Sequence, residues 1–94
     1  MLPRLIEARH LGAYAVWLRF KDGLEGEIDL ADELWGEVFE PLEDVAEFSK
    51  LRADPELYTL VWPDGADFAP EFLYERVRAS RGTLRAQAKL WNGA

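Results

Sequence analysis

The chain sets 18 Asp and Glu against 11 Lys and Arg over 94 residues, a net charge of −7, with one histidine and no cysteine. That length makes one domain, with no room for a cofactor unit beside a substrate unit. The missing cysteine excludes disulfide frameworks, thiolate zinc sites, iron–sulfur clusters and cysteine nucleophiles. From the N-terminus, Arg4 to His10 has a weak strand pattern, and a turn follows around Gly12. Tyr14 to Phe20 is a stronger strand, because Tyr14, Val16, Leu18 and Phe20 are all apolar and share one face. Asp22-Gly23 then marks a hairpin. In the next run Leu24, Ile28 and Leu30 face inward, while the acids between them face water. The three segments read as an antiparallel meander with one solvated face.

Asp32 to Trp35 is expected to form a single helical turn, capped by Asp29 or Asp32 and interrupted at Gly36. A bend at Phe39–Leu42 leads into a predicted helix over Glu43–Leu51, with Val45, Phe48 and Leu51 on one face. Asp54-Pro55 ends it, because the residue before proline is pushed out of helical space. Leu57 to Trp62 reads as a fourth strand, turned at Pro63-Asp64-Gly65 into a brief fifth, Ala66 to Phe68. A helix opens at Ala69-Pro70-Glu71, where proline's missing N–H costs nothing, and runs to about Ala79. The expected fold is α+β: a three-stranded antiparallel meander plus a later β-hairpin, with two or three short helices on one face. Residues 1–79 form the domain, and residues 80–94 a basic tail, either a short helix or disordered.

Charge divides close to that boundary. Residues 1–75 hold all 18 acids and six bases, a net charge of −12, while residues 76–94 hold five bases and no acid, +5. An acidic body attracts basic partners and repels nucleic acid. The N-terminus lacks a signal-peptide core, and no run approaches the roughly 20 apolar residues of a membrane span. A cytoplasmic protein without membrane contact is expected.

Chemistry-bearing constellations are sparse. His10 is the single imidazole and reads as structural or exposed, which leaves only carboxylates for a metal. An EF-hand started at Asp22 fails, since Leu24 falls at its third position. Asp64 and Asp67 bracket Gly65 as an acid/base pair would, but the turn and the helix start each account for one. The few Ser and Thr residues have no nucleophile-elbow setting, and no phosphate-binding glycine loop is present. The sequence therefore predicts no catalytic residue, no metal and no cofactor, and a protein that is not an enzyme. Trp17 lies between Val16 and Leu18 on the face opposite the core. There it either marks an interface or packs under a helix or the tail.

Several of these segments together resemble the small bacterial family called domain of unknown function 2442. They are Pro3-Arg4-Leu5, Asp22-Gly23, Val38-Phe39-Glu40-Pro41-Leu42, Phe48, Asp54-Pro55-Glu56, Leu60-Val61-Trp62-Pro63-Asp64-Gly65-Ala66-Asp67 and Pro70-Glu71-x-x-Tyr74. The resemblance covers about residues 3–78. It implies a small α+β domain with no established catalytic residues to transfer. It also implies gene arrangements that look like toxin–antitoxin pairs, and some relatives with a helix-turn-helix domain after this one. Residues 79–94 are too short for such a domain, which puts autonomous operator binding in doubt.

The functional expectation is a protein-interaction module, antitoxin-like, with a small basic partner. Its contact residues are Trp17, Trp62, Asp64 and Asp67, with Trp91 in the tail. The alternative is a nucleic-acid-linked transcriptional regulator acting through Arg81, Arg85 and Lys89 or through a partner. A homodimer through an edge strand or the tail is a further expectation.

Overall fold

The structure is a computed structural model that describes residues 2–80. Strands β1 (Leu5–Gly12), β2 (Ala15–Phe20) and β3 (Glu25–Asp29) form an antiparallel sheet in that order. The alternation predicted for β2 sets its register: Leu5, Phe20, Leu18, Val16 and Ile28 lie on the buried face, and Glu7, Arg9, Trp17, Glu25 and Glu27 on the other. The Asp22-Gly23 turn is a three-residue loop closed by Gly23 N–H to Phe20 O at 3.0 Å and Phe20 N–H to Leu24 O at 2.8 Å. Gly23 takes φ +97°, which an L side chain rarely adopts.

Beyond the meander come two 3₁₀ turns, Ala31–Glu33 and Glu40–Glu43, then a four-residue helix α1 (Val45–Phe48). The predicted helix over Glu43–Leu51 is therefore shorter. Asp44 caps it through Ala46 N–H at 2.9 Å, and Arg52 is drawn into β4 (Arg52–Ala53) just after it. Phe48 is fully buried, whereas Val45 is exposed and Leu42 takes the inward place instead.

β4 pairs with β5 (Leu60–Val61), a partnership the sequence reading missed. The predicted fourth strand loses Leu57 to Thr59 to a turn. Asp54 Oδ1 accepts the N–H groups of Glu56 and Leu57 at 2.8 and 2.9 Å, and Tyr58 sits at φ +55°. The fifth strand contracts to one bridge, Asp67 to Val61, flanked by Trp62 N–H to Ala66 O and Phe68 N–H to Leu60 O.

Helix α2 spans residues 70–80, starting on Pro70 as expected, and buries Leu73 and Val77. Its outer side chains cover the β3 edge. Arg76 donates to Asp29 O at 2.8 Å and Ser80 to Glu27 O at 3.1 Å, so two carbonyls along that edge are occupied. No helix among the described residues is long and apolar enough to cross a membrane.

Candidate functional site

Trp17 stands on the solvent face of β2, between Arg9 on β1 and Glu27 on β3. The Arg9 guanidinium lies 5.3 Å from its ring centroid. Glu7 ties this face together, accepting from Arg19 at 2.6 Å and from Arg9 at 2.9 Å. Those bonds, Arg19's first, hold the Glu7 carboxyl below its ordinary value. The indole is half-buried, and the fold's own arginine covers it.

Trp62 is not a surface residue. It is 3 % exposed, and its indole N–H donates to Phe48 O at 2.8 Å. Its ring lies 5.5 Å from Phe48 and 5.7 Å from Phe68. The expectation of Trp62 as a contact residue is corrected accordingly: it is a core aromatic whose one polar atom is satisfied. Asp64 serves the turn, its Oδ1 accepting Ala66 N–H at 3.0 Å while Gly65 takes φ +92°. Asp67 is exposed and joins the hairpin through its backbone bridge to Val61. Trp17 thus stands on the solvent face of the sheet and Trp62 in the core, and the four residues do not converge on one surface. Arg81, Arg85, Lys89 and Trp91 lie outside the described residues.

The surface that does gather interaction chemistry is the irregular segment between β3 and α1. Residues 29–47 carry eight carboxylates and no base. Among the described residues two of the eight are ion-paired, Glu33 with Arg76 at 2.9 Å and Glu47 with Lys50 at 2.9 Å. Trp35 stands here at 74 % exposure, the highest of the large exposed hydrophobics, with Val38 at 58 % nearby in sequence. Gly36, at φ +89°, turns the chain directly after the indole, and its carbonyl accepts from Phe39 and Glu40. Leu34 and Leu42 anchor the segment in the core on either side. The sequence reading placed Trp35 in a helical turn and missed its exposure. The charge reading stopped at residues 1–75 as a whole, and a count over residues 29–47 was the signal that could have found the segment.

Among the described residues no cluster of three or more His, Asp or Glu side chains is arranged to hold a metal ion. Asp22 accepts from the Tyr74 hydroxyl at 2.6 Å and from Leu24 N–H at 3.0 Å. The Tyr74 bond above all lowers its carboxyl pKa, the opposite of what a general acid requires.

Fold and surface define a small α+β domain, a meander with a short later hairpin, that bears an acidic irregular face with an exposed indole. The chain belongs to the family described as Protein of unknown function (DUF2442), whose model matches residues 5–79. That span covers every strand and nearly all of α2. No curated protein and no solved structure matches the chain.

Proposed function

We propose that the protein is a non-enzymatic interaction module whose segment around Trp35 binds a small basic protein, as an antitoxin-like subunit would. The observation that carries this reading is an indole 74 % exposed within a stretch of eight carboxylates and no base. Covering the open part of such a side chain is worth roughly 3 kcal/mol before association costs. A lone exposed apolar residue is ordinary, but Trp35 with Val38 and Val45 inside a single-sign field is a pattern suited to a partner. The carboxylates would speed encounter with a basic surface and select against acidic ones.

The test is co-purification of the tagged chain from its source cells at low salt, beside Trp35→Ala. The expected result is one basic protein in fixed ratio, released by salt and lost in the variant. Absence of a stoichiometric partner, or its full retention by Trp35→Ala, would refute the proposal. A nucleic-acid role through Arg81, Arg85 and Lys89 draws no support from the described residues, where 18 acids against eight bases give −10.

A further inference from the structure

A groove of about 640 Å³ opens between the N-terminal segment, the β2–β3 turn, the Tyr58 turn and the start of α2. Its apolar lining comes from Pro3, Tyr58 and Pro70, with Leu2 and Leu57 at 70 % and 60 % exposure. Tyr58 is held there in the left-handed region at φ +55°, uncommon for an aromatic side chain, and its carbonyl is fixed by Leu5 N–H at 2.9 Å. Arg4 stacks over the Tyr58 ring at 4.8 Å.

The charges around this groove are not arranged like those elsewhere. Six of the eight described bases are ion-paired: Arg9, Arg19, Lys50, Arg52, Arg76 and Arg78. The two with no ion-pair partner among the described residues are Arg4 and Lys21, and both line the groove. Their backbones are joined by Lys21 N–H to Arg4 O at 2.9 Å, just beyond the last β1–β2 pair, Leu5 with Phe20. Two exposed cations without an ion-pair partner among the described residues thus gather at one groove of a chain with 18 acids. Asp22, the one acid lining the groove, is engaged by Tyr74 and by Leu24 N–H. A second, smaller pocket of about 300 Å³ shares Pro3 and Asp22 with the groove and is lined by Glu71 and Glu75, so acids flank it at that end.

We infer that this groove binds a small organic monoacid, an aryl or branched aliphatic carboxylate. Its carboxylate lies between Arg4 and Lys21, and its apolar body rests on Pro3, Tyr58 and Pro70. The volume falls within the range of small-ligand pockets. A single negative charge suits it better than a phosphate, because the chain's net charge of −7 repels a dianion about twice as strongly as a monoanion. Glu71 and Glu75 orient the ligand by excluding its head from their end. The site shares no residue with the Trp35 segment, and the inference stands independently of the proposed function.

The experiment is an amide-resolved NMR titration of the full chain with phenylacetate, phenylacetamide and phenyl phosphate. Phenylacetate is expected to give saturable shifts at Arg4, Lys21, Leu57 and Tyr58, weakening as salt rises. Arg4→Gln and Lys21→Gln are each expected to weaken it about two- to five-fold, the span of exposed charge pairs, whereas Arg52→Gln leaves it unchanged. Phenylacetamide binding as well as phenylacetate would overturn the proposal by removing the anion from recognition. So would tighter binding of phenyl phosphate, or no saturable shift with any probe. Concentration-dependent shifts at the same residues without ligand would assign the groove to a second copy and overturn it too. The free Lys21→Gln chain should melt no lower than the parent. A lower melting temperature would show that Lys21 serves the fold, against the proposal.

Discussion

Trp62 offers the sharpest test of the packing argument, because the same residue type at Trp35 sits in the opposite environment. Replacing Trp62 by Phe removes the donor to Phe48 O and the outer part of the ring. The carbonyl is not orphaned, since Leu51 N–H also donates to it at 3.2 Å. The lost bond therefore costs near the net value of a hydrogen bond, about 1 kcal/mol, and not the larger penalty of a buried unpaired group. A void of roughly 40 Å³ at ~24 cal/mol per Å³ adds about 1 kcal/mol more. The sum, about 2 kcal/mol, corresponds to a fall of about 8–16 °C in melting temperature for a domain of this size. Trp62→Ala should cost about 3–5 kcal/mol, a large share of the total stability of such a domain. Trp35→Ala, with its indole in solvent, should stay within about 0.5 kcal/mol of the parent. Thermal and urea unfolding followed by far-UV circular dichroism measures all three, with the urea m-value checking that each remains two-state. If Trp62→Phe melts within about 2 °C of the parent, or Trp35→Ala falls as far as Trp62→Ala, the assignment of core and surface is wrong.

Ala13 occupies φ +44° in the tight β1–β2 turn, a region that costs a side chain about 1–2 kcal/mol while glycine enters it freely. Ala13→Gly should raise the melting temperature by about 2–4 °C after glycine's extra unfolded-state freedom is deducted, and a lower melting temperature would refute this. Glu7, Asp22 and Asp54 all have carboxyl pKa values lowered in the folded chain, Asp54 chiefly by the N–H groups of Leu57 and Glu56. Their stabilising contribution is fully present above the unfolded carboxylate range, near pH 4, and is lost as pH falls through the lower folded values. Asp54→Asn should therefore flatten the acid limb of stability, measured as urea midpoints from pH 7 down to pH 2.5. An unchanged acid limb would show that the Asp54 bonds do not couple to folding.

What could be read in advance depended on the range of the interaction. The alternation from Tyr14 to Phe20 reported burial directly, since a strand gives successive side chains to opposite faces. Asp22-Gly23 and Pro70 were legible because turn and helix-start chemistry acts within a few residues. β4 was not, because Arg52–Ala53 has no strand propensity of its own and becomes extended by pairing with Leu60–Val61. The charge of the 29–47 segment can be counted along the sequence, yet that its one indole, Trp35, stands in solvent cannot.

The sequence by itself determined the α+β class, the meander, the position of α2 and the family, because local backbone preference and hydrophobic period are properties of neighbouring residues. Only the tertiary structure decided that Trp62 is core and Trp35 is surface, and that Arg76 and Ser80 cover the β3 edge. It alone brought Arg4 and Lys21 to one groove beside Tyr58. Each of these outcomes turns on groups brought together by the packed chain, and no local period or propensity encodes their distance.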